Sequence, residues 1–184
     1  LVRITFITLL IISLSLGCGK QKEEPTKVAP KNLIADPIVE KALRKELKKP
    51  TGELTKADLE KVELLDLSVN QLSEVPEGLE NLTKLTVLNI YENKLTDVKG
   101  LENLTELTEL RLGNNQLTDV KGLEKLTQLD YLSLGSNQLT DLKGLEKLNQ
   151  LTILNLNYNQ LIDVKGLEKL TNLERLSLYN NELT

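Results

Sequence analysis

The sequence predicts an α/β solenoid: a curved parallel β-sheet with short 3₁₀-like or helical returns and an N-terminal helical cap. Three observations carry this expectation. An asparagine frame recurs at Asn70, Asn93, Asn115, Asn137, Asn159 and Asn181, in steps of 23, 22, 22, 22 and 22 residues, and a fixed period in this range is the mark of a stacked repeat. Each unit carries the pattern L-x-x-L-x-L-x-x-N-x-L, as in Leu129, Leu132, Leu134, Asn137 and Leu139. Between successive asparagines, Leu132 and Leu134 alternate with polar neighbours as a short half-buried strand requires, whereas Val120, Leu123, Leu126 and Leu129 lie three apart, which suits a 3₁₀-like return. One coil cannot bury its leucines alone, but a stack of six can.

The first unit has Val62 where the others open on leucine, and the second has Ile90 at its third apolar position. The six matches resemble the leucine-rich repeat family, in the 22-residue form of bacterial internalin-like proteins, over residues 62–184. The resemblance implies a binding scaffold. It also implies that the asparagine ladder is structural, each buried amide bonding the turn backbone of neighbouring coils.

Composition narrows the chemistry. The 184 residues contain no histidine and a single cysteine, Cys18, which removes histidine acid–base catalysis, histidine metal sites and internal disulfides together. No nucleophile–base pair, metal cluster or phosphate loop is present, so no catalytic residue, cofactor or metal is expected. The net charge is −4, with residues 62–184 at −8 and residues 1–61 at +4. An acidic repeat domain argues against a nucleic-acid partner, because phosphate binding needs a basic face.

Residues 1–18 pair Arg3 with an apolar run, Ile4 to Leu16, that has the length of a signal-peptide core and is short for a bilayer span. Gly17 before Cys18 resembles the processing site of bacterial lipoproteins, although Ser15 and Leu16 stand in swapped order relative to that family. The resemblance implies lipidation of Cys18 and export to the cell envelope, at the outer membrane or cell surface. An ordinary cleaved signal or an uncleaved anchor is the alternative. The chain opens on Leu1 and has no methionine, which fits a non-standard start codon read literally.

Residues 19–31, with Pro25 and Pro30 and no apolar period, read as a flexible tether. Residues 32–61 read as a helical cap. Asp36 is placed to cap a helix with Pro37 at its first position, Val39, Leu43 and Leu47 share a face, and Pro50 follows its end. A second helix is expected from Thr55, with Asp58 completing a capping box. The run from Asp36 to Leu43 also resembles internalin-like caps. The first return, residues 73–82, is one residue longer than the others and holds Pro76, which reads as a terminal variation. At the other end, nothing polar closes the stack after Leu183. That predicts partly exposed Leu173, Leu176 and Leu178, and either a truncated chain or an end that packs on a partner.

Three charged ladders run through the returns: Asp97, Asp119, Asp141 and Asp163; Lys99, Lys121, Lys143 and Lys165; Glu102, Glu124, Glu146 and Glu168. Stacked carboxylates suggest calcium, but interleaved lysines fit a solvated face better. Gly100, Gly122, Gly144 and Gly166 mark tight turns. The glycosylation sequons at Asn81 and Asn103 carry little meaning in a chain of bacterial character.

The variable strand positions are the informative ones. All four tyrosines, Tyr91, Tyr131, Tyr158 and Tyr179, fall in or beside the strands, as do both arginines of the repeats, Arg111 and Arg175. The returns use only lysine. Tyrosine and arginine are enriched at interface hot spots, so the concave strand face is the candidate ligand surface. It comprises Val87, Asn89, Tyr91, Glu109, Arg111, Tyr131, Ser133, Ile153, Asn155, Asn157, Tyr158, Arg175 and Tyr179. The plain alternative is that strands tolerate aromatics anyway. The expected function is non-enzymatic recognition of another protein, of the host or of the envelope. The rival is a structural or assembly component packing through its last coil, and the oligomeric state stays open.

Overall fold

The computed structural model describes residues 33–184. The expected signal peptide, the lipidation at Cys18 and the tether at 19–31 lie outside the described residues. Two helices lead into six strands. Helix α1 is Pro37–Glu46 and helix α2 is Lys56–Leu59. The strands are β1 Leu64–Asp66, β2 Val87–Asn89, β3 Glu109–Arg111, β4 Tyr131–Ser133, β5 Ile153–Asn155 and β6 Arg175–Ser177.

Helix α1 starts where local chemistry dictates. Asp36 Oδ1 accepts the amides of Ile38 and Val39 at 2.8 and 3.1 Å, and Pro37 takes the first helical position. Val39 and Leu43 are buried on its inner face. The helix stops earlier than Pro50 requires: Leu47 is its C-cap and Lys48 turns left-handed at φ 51°. Helix α2 has the capping box expected of it, with Thr55 and Asp58 each bonding the other's backbone.

The strands pair in parallel in chain order, β1 to β6, forming one sheet. The register puts equivalent residues side by side, so Val87, Glu109, Tyr131, Ile153 and Arg175 form one row and Asn89, Arg111, Ser133, Asn155 and Ser177 the next. The central leucine of each strand faces the core; Leu88, Leu110, Leu132 and Leu154 are fully buried.

The returns follow the period of three. The amides of Leu123, Leu126 and Leu129 donate to the carbonyls of Val120, Leu123 and Leu126, each three residues back. Only the first return runs on as a regular 3₁₀ helix, Leu79–Asn81; the rest are chains of single turns. The glycines of the returns are left-handed. At Gly144, φ is 109° and an added Cβ would lie 3.0 Å from the Val120 carbonyl, so only glycine fits without strain.

Burial thins towards the last coil. Leu173 and Leu178 are half-buried, and Leu176 is 41% exposed where its counterpart Leu154 is 0%.

Candidate functional site

The asparagine ladder pins coil to coil. Asn137 Oδ1 accepts the amide of Leu117 at 3.0 Å, while its Nδ2 donates to the carbonyls of Leu112 and Leu134, also at 3.0 Å. Asn93, Asn115 and Asn159 repeat this arrangement and are all buried. Each amide thus satisfies turn groups of two coils that have lost water. The ends differ. Asn181 is half-buried, and Asn70 is exposed, with its Nδ2 donating to the Ser68 carbonyl within its own turn. The expectation of six equivalent buried amides fails at Asn70, because no earlier coil lies against it to offer a carbonyl.

The charged ladders are turn chemistry. The carboxylates of Asp97, Asp119, Asp141 and Asp163 each accept the amide two residues on, at 3.0 Å. Glu102, Glu124, Glu146 and Glu168 each accept the amide of the left-handed glycine two residues before, at 2.7–2.8 Å. Lys121, Lys143 and Lys165 sit 3.5, 3.7 and 2.9 Å from their aspartates. The contact with Lys165 Nζ, then its amide, holds the Asp163 carboxyl below the ordinary range. Among the described residues no group of three or more acidic or cysteine side chains is placed to hold a metal ion.

The thirteen candidate residues named from the sequence lie along the strands and the turn after them. Val87, Asn89, Glu109, Tyr131, Ser133, Ile153, Asn155 and Asn157 are half-buried, while Tyr91, Arg111, Tyr158, Arg175 and Tyr179 are exposed. They gather into local groups. Tyr158 and Tyr179 meet edge to face, with ring centroids 5.6 Å apart and planes at 82°. Exposures of 54% and 67% leave most of both rings in water, accessible to a partner surface. Tyr158 also holds a left-handed backbone at φ 55°, the conformation that Glu92, Asn114, Ser136 and Asn180 adopt in the other coils. Arg111 lies over the Tyr131 ring at 5.8 Å and is paired with Glu109 at 2.5 Å, so its guanidinium is held in place on both sides.

Tyr91 is fixed by neighbours one coil away. Its hydroxyl accepts a hydrogen bond from Asn114 Nδ2 at 2.8 Å, and its ring packs close over Gly113, where an added Cβ would lie 3.2 Å from the Gly135 carbonyl and 3.3 Å from Tyr91 Cδ2. Gly135 similarly makes room for the Asn155 amide, whose atoms would lie 3.2 Å from an added Cβ. The sequence places both glycines at variable positions of the concave face but gives them no role. The signal was there, since glycine stands at a variable strand position in two consecutive coils. Leu64 and Val69, at 44% and 64% exposure, hold the corresponding positions of the first coil.

The electrostatics of the face change along it. Burial raises the Asp66 carboxyl, but hydrogen bonds from Ser68 and the charges of Lys45 and Arg111 outweigh this and leave it below the usual carboxylate range. Asn89 Nδ2 donates to the same carboxylate at 3.1 Å. The first coil therefore presents a negative charge held by Ser68 and Asn89, and the last two coils present aromatic rings with Arg175.

Comparison with known proteins agrees with this architecture. The family Leucine Rich repeats (2 copies) matches residues 60–103 and 105–147, and the family Leucine Rich repeat matches residues 147–171. No curated protein matches the sequence. Among solved structures, the chain is similar to an internalin (inlF) from Listeria monocytogenes, with 30% identity and a TM-score of 0.77 over 83% of this chain. It spans 45% of that protein's chain. An internalin C2 (inlC2) from the same organism shares 27% identity over 83% of this chain and 87% of its own, with a TM-score of 0.46.

Proposed function

Because the chain belongs to the leucine-rich repeat family, we propose that it recognises another protein through the exposed face of its strands, with no chemical step. One observation carries this reading. The exposed, edge-to-face pair of Tyr158 and Tyr179 stands in the turns that follow β5 and β6, where a partner gains apolar area and directed hydrogen bonds together. Arg111 held on Tyr131 and Tyr91 held by Asn114 add preformed contacts, and side chains already ordered lose little entropy on docking. The mode of recognition is rigid docking of a convex partner surface on a fixed sheet.

The sequence supports a place for this recognition at the bacterial cell envelope. Export and a lipid anchor at Cys18 are part of the proposal, and the similarity to Listeria internalins is consistent with an exported protein. Mass spectrometry of the mature chain checks the anchor: a diacylglycerol mass on an N-terminal Cys18 supports it, and an unmodified cysteine refutes it.

A pull-down tests the face. Residues 19–184 should retain a specific protein that is lost when Tyr131, Tyr158 and Tyr179 are together changed to alanine. A folded triple variant that captures the same protein equally well sinks the reading.

A further inference from the structure

The first return breaks the pattern of the other four in a way that builds a second surface. In those four, an aspartate stands three residues before the left-handed glycine and a lysine stands immediately before it. Before Gly78 the same positions hold Val75 and Glu77. An apolar side chain replaces a carboxylate, and a negative charge replaces a positive one.

These changes line a cleft of about 890 Å³ between the start of α1 and the first two returns; no strand residue borders it. Its floor is apolar: Ile38 and Val75 are partly buried against the core, and Leu72 is 8% exposed. Its rim holds five carboxylates and one lysine, Lys99. Asp36, Glu80 and Asp97 are each engaged in holding a turn or a helix end. Glu74 and Glu77 are exposed and have no hydrogen-bond or ion-pair partner among the described residues.

We propose that this cleft binds a short cationic peptide segment, with an aliphatic side chain on the Ile38–Leu72–Val75 floor and flanking lysines or arginines at Glu74 and Glu77. The arrangement complements such a segment in both respects that decide docking. The apolar floor gains by losing water, and two unpartnered carboxylates attract basic groups and fix their register. The site is separate from the strand face, so its fate is independent of the recognition proposed there.

The probe is a fluorescein-labelled pentapeptide, lysine–lysine–leucine–lysine–lysine, titrated with the full chain at low salt and followed by anisotropy. Saturable one-to-one binding is expected. The Glu74→Gln/Glu77→Gln variant, whose exposed positions leave folding intact by circular dichroism, should bind at least tenfold more weakly. A peptide with serine for leucine should also bind at least tenfold more weakly, and the triple tyrosine variant should bind like the native chain. Absence of saturable binding, equal binding by the glutamine variant, equal binding of the serine peptide or loss of binding in the tyrosine variant would each overturn the proposal.

Discussion

The two ends of the stack carry the same motif and meet different fates. In the first coil, Leu65 and Leu67 are 1% and 0% exposed, beneath a cap that contributes Val39, Leu43 and Leu59, all at 0%. In the last coil, the equivalent Leu176 is 41% exposed and Leu178 half-buried. The two leucines hold the same positions of the motif in both coils, so burial is a property of the neighbour and not of the leucine. In a linear stack each coil stabilises only those beside it.

The largest effect that tests this comparison is a leucine truncation. Leu154→Ala removes a fully buried side chain held between coils on both sides and should cost about 2–5 kcal/mol, including the cavity left behind. Leu65→Ala, under the cap, should fall in the same range. Leu176→Ala should cost under about 1.5 kcal/mol, since much of that side chain is already in water. Urea unfolding followed by circular dichroism ranks the three. Equal losses at Leu154 and Leu176 would break the nearest-neighbour account.

A smaller effect comes from the ladder. Asn137→Ala leaves the buried Leu117 amide without a partner, while the Leu112 and Leu134 carbonyls keep the side-chain amides of Asn115 and Asn159, at roughly 1–3 kcal/mol for the one buried group left unpaired. Asn70→Ala removes one hydrogen bond, to Ser68, at an exposed turn, worth about 0.5 kcal/mol. The same unfolding measurement separates them, and a cost at Asn70 equal to that at Asn137 would mean that the cap substitutes for a coil.

This asymmetry also marks what was legible in the sequence. Asp36 before Pro37, and Thr55 three residues before Asp58, were readable because capping is local chemistry within one turn. The strand rows were readable because a constant period fixes register. The exposure of Asn70 was not, since it depends on what lies outside the first coil. The seating of Tyr91 against Gly113 and Asn114 was hidden for a related reason: those residues are 22 and 23 positions away and meet only through the stacking. The cleft at Val75 escaped likewise. Its longer return was visible as an irregularity, but only the packing of α1 beside it makes a surface.

The smallest effect concerns the charges at the two ends. In the cap, Asp58 Oδ2 takes Lys49 Nζ at 2.7 Å, the Thr55 hydroxyl at 2.7 Å and the Thr55 amide at 3.0 Å. The Lys49 hydrogen bond first, then those from Thr55, hold its carboxyl well below the ordinary carboxylate value of 3.8. A carboxylate lowered on folding contributes stability that is complete above that ordinary value and is lost as pH falls towards the folded one. The native chain should therefore lose urea resistance as pH falls from about 4 to about 2, and Asp58→Asn should lose less over the same interval. Asp163, near the open end, is also lowered by its own Lys165, but that pair bridges one turn and ties no helix to its neighbours. Asp163→Asn should leave the acid dependence close to native. If both variants flatten it equally, the cap's ion pair has no special part in closing the first coil, and the covered end owes its stability to buried leucine alone.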